Sequence, residues 1–200
     1  MPTRRIGLLA CGLALYGFSL TLLLRADLGL DPWDVFHQGL ADTVGLPFGT
    51  VIVLTSFAVL ALWIPLRERP GIGTIANAVV VGLGVEVFSR MIPDIDSITL
   101  RWLLLALGIV GNGIATGMYI GAGMGPGPRD GMMTGLARRR GSIRVVRTSI
   151  ELVVLVTGIA LGGTFGVGTV AYAVAIGPLA HVFLPIFTNV ADGQPQPVAV

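Results

Sequence analysis

Six stretches of the chain are apolar for long enough to cross a bilayer: 6–24, 48–66, 72–92, 102–121, 145–163 and 167–188. Each is near the ~20 residues that a helix needs to span the hydrocarbon core. Two further segments break the pattern. DPWDVFHQGLADTVG at 31–45 and GPRDGMMTGLARRRG at 127–141 are too short and too polar to face lipid. A bare backbone finds no water in hydrocarbon, so each is predicted as a short helix, interfacial or re-entrant. The pattern therefore predicts an all-α polytopic membrane protein with six transmembrane helices. Residues 190–200, ending in ADGQPQPVAV, are expected to form a disordered cytoplasmic tail.

The two short segments align with each other at an offset of 96, and the match runs through most of the chain. Gly12, Gly17, Ala26, Gly29, Pro32 and Asp34 correspond to Gly108, Gly113, Ala122, Gly125, Pro128 and Asp130. After a one-residue deletion the offset is 95, and Gly71, Gly73, Thr74, Gly82 and Phe88 correspond to Gly166, Gly168, Thr169, Gly177 and Phe183. Small residues coincide easily in apolar sequence, but ordered matches of Pro, Asp, Gly and Thr do not. The chain reads as two repeats, 1–95 and 96–189, each with three spans and one short helix. An odd number of spans turns the second copy upside down, giving two inverted three-helix repeats.

Charge placement agrees with that topology. With both termini cytoplasmic, Arg4, Arg5, Arg67, Arg69, Arg129, Arg138, Arg139, Arg140, Arg144 and Arg147 fall on the inner side, and Arg25, Arg90 and Arg101 on the outer. That excess is what the positive-inside rule requires of a multi-pass protein of the cell (inner) membrane. The remaining composition mainly excludes. Mean hydropathy is +0.85, and the net charge of +2 gives no reason to expect nucleic-acid binding. The lone Cys11 permits no internal disulfide and no metal cluster. The apolar run through Cys11 continues to Leu24, so the beginning of the chain reads as a retained span rather than a cleaved signal. No nucleophile triad, phosphate loop or cofactor fingerprint is present, so neither an enzyme nor a cofactor is expected.

The stretches GPRDGMMTGL and GGTFGVGT, with the echo DPWDVFHQGL, resemble the YczE/YitT-type bacterial integral membrane proteins over residues 5 to 188. The resemblance implies a polytopic membrane protein and supplies neither substrate nor reaction. The two copies differ where the first has Trp33 and the second Arg129.

The proline boxes carry the candidate chemistry. Pro32 and Pro128 suit the first turn of a helix, where a missing N–H costs nothing, and Asp34 and Asp130 suit its positive end. Asp31 and Gly127 take the cap positions, and Gly29, Gly123 and Gly125 let the chain turn sharply before them. In inverted-repeat transporters such helix starts converge on a solute site between the repeats. Read that way, Asp34, Arg129, Asp130, Gly125, Gly127, Pro128 and Pro32 bind substrate, with Arg129 as a fixed positive charge. Read structurally, the aspartates cap their helices, Arg129 pairs with Asp130, and Trp33 and His37 sit at the interface.

Charges inside spans are expensive and point the same way. Arg147 and Glu151 lie four apart on one helix face, Glu86 has no nearby partner in sequence, and His181 occupies its equivalent position in the second copy. These four are candidates for proton coupling or buried polar contacts. The leading expectation is a small secondary transporter or exporter of a small polar or anionic solute. The alternative is a membrane interaction or assembly protein whose cytoplasmic arginines engage anionic lipid or a partner. With 200 residues, a homodimer would enlarge its core.

Overall fold

The computed structural model describes residues 2–192, and every regular element among them is helical. In chain order these are α1 (Pro2–Ala26), α2 (Pro32–Val44), α3 (Phe48–Ala61), α4 (Trp63–Leu66), α5 (Ile72–Met91), α6 (Ile98–Gly121), α7 (Pro128–Arg140), α8 (Ile143–Ala160) and α9 (Val167–Asp192). Five stretches are long and apolar enough to cross a membrane: Thr3–Ala26, Phe48–Leu66, Ile72–Met91, Ile98–Gly121 and Val167–Ala191.

Three details differ from the sequence pattern. The stretch 48–66 is two helices, because Pro65 lacks an N–H and its ring crowds the carbonyl one turn back, so α3 stops at Ala61. The expected span at 145–163 forms α8, but its 18 residues include Arg144, Arg147 and Glu151, which set it apart from the five apolar helices. Residues 190–192 of the expected tail belong to α9, and residues 193–200 lie outside those described.

Hydrogen bonds sort the helix ends into two groups. In one, the Arg25 guanidinium donates to the carbonyls of Ile92 at 2.7 Å and Ser89 at 2.5 Å, and Arg101 donates to the carbonyl of Ala26 at 2.6 Å. The Leu30 N–H donates to the Thr164 carbonyl at 3.3 Å in the same group. In the other, Arg138 donates to Glu68 Oε2 at 2.9 Å and Arg139 to the Pro65 carbonyl at 2.8 Å. The end of α1, the end of α5 and the start of α6 thus lie together, opposite the end of α4 and the end of α7.

The core is the seam between α1 and α6, flanked by α5 on one side and α9 on the other. Leu13, Leu20, Leu23, Val81, Leu105 and Ile109 fill it. Glycine makes the close approach possible: a Cβ on Gly12 would lie 2.9 Å from the Tyr119 backbone nitrogen, and one on Gly108 would lie 3.1 Å from the Ser19 carbonyl oxygen. Of the short helices, α2 packs chiefly against α8, and α7 against both α8 and α3.

Residues 95 or 96 apart make matching bonds. The Gly168 N–H donates to the Leu28 carbonyl at 2.7 Å, and the Gly73 N–H donates to the Met124 carbonyl at 2.8 Å. Thr74 Oγ1 accepts from the Gly71 N–H at 3.2 Å, and Thr169 Oγ1 from the Gly166 N–H at 3.3 Å. Gly29 and Gly125 lead into α2 and α7 at φ +108° and +119°, a backbone that side-chain-bearing residues rarely adopt. The match fails in one place. Helices α3 and α5 pack backbone to backbone through Gly49 and Gly82, whereas α8 and α9 scarcely touch, and Gly177, the counterpart of Gly82, faces open space.

Candidate functional site

Both short helices begin as their sequences dictate. Asp31 caps α2, its Oδ1 accepting from the N–H groups of Trp33 at 2.9 Å and Asp34 at 3.1 Å, with Pro32 in the first turn. Gly127 takes the cap position of α7, Pro128 follows, and Asp130 lies in the first turn. Trp63 fixes the depth of α7 by donating its indole N–H to the Pro128 carbonyl at 3.0 Å, while its ring lies against Gly131.

The two starts meet through charge. Arg129 reaches from α7 to α2, its Nη2 3.3 Å from Asp34 Oδ1 and its Nη1 3.9 Å from Asp31 Oδ1, and its guanidinium sits 5.2 Å from the centre of the Trp33 ring. The arginine therefore bridges α7 and α2 instead of pairing with its neighbour Asp130. Its sequence-equivalent residue, Trp33, becomes the platform beneath it. Trp33 is 8% exposed and His37 is 1% exposed, so neither is an interfacial anchor. His37 Nδ1 lies 2.9 Å from Asp34 Oδ1, and its Nε2 2.8 Å from Thr55 Oγ1. Burial, with Arg129 adding to it, holds the imidazole well below its ordinary pKa. Burial and the adjacent Asp34 push the Asp31 carboxyl up to about 7, against the pull of Arg129.

A cavity of about 320 Å³ lies where the helices converge. Asp31, Pro32 and Trp33 wall it from α2, and Gly127, Pro128, Arg129 and Asp130 from α7. Tyr16, Tyr119 and Tyr172 line it from α1, α6 and α9. Tyr119 donates its hydroxyl to Asp130 Oδ2 at 2.7 Å, and Tyr172 donates to Asn112 Oδ1 at 3.0 Å. On the remaining side are Arg147 and Glu151 of α8, paired at 2.8 Å, and Ile176 and Gly177 of α9. The cavity thus extends between the two helices that do not pack on each other.

The other candidates lie apart. Asp34 is fully buried behind Arg129 and does not line the cavity, and among the described residues its Oδ2 is a buried atom with no hydrogen-bond partner. Gly125 packs against Thr74 and Gly71 and serves the approach to α7. His181 is exposed on α9 and does not meet Glu86. Glu86 Oε1 accepts from the Gly49 N–H at 3.0 Å, supplying a partner for one of the unpaired amides at the start of α3, where the Pro47 cap offers none. Glu86→Gln keeps an acceptor oxygen and is expected to leave thermal stability within error of the parent. Glu86→Leu removes it and is expected to cost roughly 1 kcal/mol in a melt of detergent-solubilised protein.

Sequence reasoning passed over the three tyrosines, and Asn77, which reads from sequence as an interhelical hydrogen-bonding residue, also lines the cavity. Only the Asp34/His37 spacing of three, one turn of a helix, gave a usable signal for the buried pair.

The family model described as a family of unknown function (DUF6198) matches residues 3–185. An uncharacterized protein of Haemophilus influenzae is 35% identical over 187 residues, covering 93% of this chain and 86% of the relative. The uncharacterized membrane protein YczE of Bacillus subtilis is 33% identical over 172 residues, 85% of this chain and 80% of its own length. The uncharacterized protein YyaS of the same organism is 26% identical over 182 residues, 88% and 90% of the two chains. No solved structure matches. The chain belongs to the YczE-type membrane proteins of the DUF6198 family.

Proposed function

We propose that this protein is a small secondary transporter of a polar solute, built from two inverted repeats that cross the membrane six times, with its site at the converging starts of α2 and α7. The observation that carries the reading is the cavity of about 320 Å³ walled by both proline-led helix starts. Paired interrupted elements at a repeat interface are the recurrent site of secondary transporters. Support for the repeats comes from the matching bonds of Gly73 with Met124 and Gly168 with Leu28. Support for alternating helix direction comes from the two groups of ends held by Arg25 and Arg101 and by Arg138 and Arg139. In this topology α8 is the sixth crossing, its Arg147 and Glu151 offsetting one another as a pair at 2.8 Å.

The geometry favours a neutral or cationic solute over an anionic one, because Asp34 already occupies the positive charge of Arg129. The alternative of a cytoplasmic docking surface is weakened at Arg138 and Arg139, which bond to Glu68 and to the Pro65 carbonyl of the same chain.

Gly177→Leu tests the reading. No atom lies within 4 Å of a Cβ placed there, and Gly177 lines the cavity, so a larger side chain starts in open space at the cavity wall. The helix-propensity gain over glycine, about 1 kcal/mol, is offset by Pro178, whose ring crowds a Cβ on the residue before it, so little net change in stability is expected. In proteoliposomes the variant is expected to lose solute flux while its melting temperature holds. Equal flux in parent and variant would remove this cavity from the transport path. Asp130→Asn, which leaves the Tyr119 hydroxyl an acceptor, is expected to alter flux and its dependence on a pH gradient without unfolding the protein.

A further inference from the structure

Three carboxylates, Asp31, Asp130 and Glu151, line the cavity, and a fourth, Asp34, lies buried behind it, against two guanidinium groups, Arg129 and Arg147. Both guanidinium groups are already paired, Arg129 with Asp34 at 3.3 Å and Arg147 with Glu151 at 2.8 Å. Arg129 also approaches Asp31, at 3.9 Å, too far for a hydrogen bond. Asp130 has no cation partner among the described salt bridges and takes a single hydroxyl, that of Tyr119, on Oδ2. The excess charge of the cavity is therefore negative and centred on Asp130; Asp31, its carboxyl raised to about 7, adds part of a charge at neutral pH.

The walls suit the same class of ligand. Tyr16 and Tyr119, in edge-to-face contact with ring centres 5.9 Å apart, border the space beside Asp130. Aromatic faces attract cations through the ring quadrupole. Met133, Ile52, Val81 and Ile176 give the rest of the lining an apolar character. A volume of about 320 Å³ is at the small end of the range for small-molecule pockets.

We propose that the cavity binds a small organic ammonium ion, its charged group held by Asp130 and Asp31 beside the tyrosine rings. The inference rests on the transport reading only for the location of the site, because binding is measured without flux.

The test uses the full chain in nanodiscs at neutral pH with three probes that share a phenyl ring. Phenylalaninol carries an ammonium and a hydroxyl, 3-phenylpropanol lacks the amine, and 3-phenylpropanoate carries the opposite charge. Calorimetric titration is expected to give saturable binding for phenylalaninol, at least about tenfold tighter than for either of the others, a difference of 1.4 kcal/mol. Asp130→Asn is expected to weaken phenylalaninol about tenfold or more. Asp31→Asn retains a capping side chain, so a parallel loss there with an unchanged melting temperature separates binding from folding. Equal affinity for the uncharged probe, tighter binding of the carboxylate, or no binding of phenylalaninol would each overturn the proposal. Phenylalaninol binding without flux in proteoliposomes would leave the ammonium site standing and sink the transporter. Flux of an uncharged or anionic solute with no phenylalaninol binding would do the reverse.

Discussion

Arg129→Gln is expected to be the most destabilising single change at the site, by about 3–5 kcal/mol, because it strands a fully buried carboxylate. Asp34 is 0% exposed, and Arg129 is its cationic partner, at 3.3 Å. Burial, the larger cause of the low His37 pKa, persists without Arg129 and opposes a charged imidazole as a replacement partner. The loss comes from the uncompensated charge more than from the missing contact. Removing both charges should therefore restore much of the stability. The double variant Asp34→Asn/Arg129→Met is expected to melt well above Arg129→Gln alone, and comparison with both single variants isolates the pair energy. Arg129→Gln within about 1 kcal/mol of the parent in a denaturant titration would show that the bridge between α2 and α7 does not hold the site together.

Gly125→Ala and Gly29→Ala are expected to cost about 2–5 kcal/mol each, combining backbone strain with a forced contact. Both residues have φ in the left-handed half of the map, +119° and +108°. A methyl on Gly125 would lie 2.6 Å from Thr74 Oγ1, and one on Gly29 would lie 2.5 Å from the Gly166 backbone nitrogen. Neither neighbour can retreat cheaply, because each belongs to the cap of the adjoining helix, α5 or α9. Gly45→Ala is the control. It shares a positive φ of +68° but has no atom within 4 Å of the added methyl, so only the backbone strain remains, about 1 kcal/mol. If all three variants melt together, the close passage of the loops contributes nothing to stability.

The length of the apolar runs and the chemistry of their boundaries were written in the sequence. Hydrocarbon thickness sets how many residues a span needs, and proline after a capping residue starts a helix whatever surrounds it. For that reason α2 and α7 begin at Pro32 and Pro128, as the boxes DPWD and GPRD require. The recurrence of Gly29, Gly71 and Thr74 at Gly125, Gly166 and Thr169 was equally legible, since a shared turn geometry needs shared small residues.

Pairing across the chain was decided by tertiary structure. Arg129 had an acidic neighbour in Asp130, yet its partner is Asp34, 95 positions away, because the starts of α2 and α7 face each other and Tyr119 already holds Asp130. Glu86 read as a costly charge inside a span, and packing of α5 against α3 made it the acceptor for the Gly49 amide. The tyrosines carried no periodic or motif signal, and only the convergence of α1, α6 and α9 brings them to one cavity. Local sequence fixes dihedral preferences and burial. Which charge meets which depends on how the helices cross, and that is set by small residues such as Gly12 and Gly108 letting α1 and α6 approach.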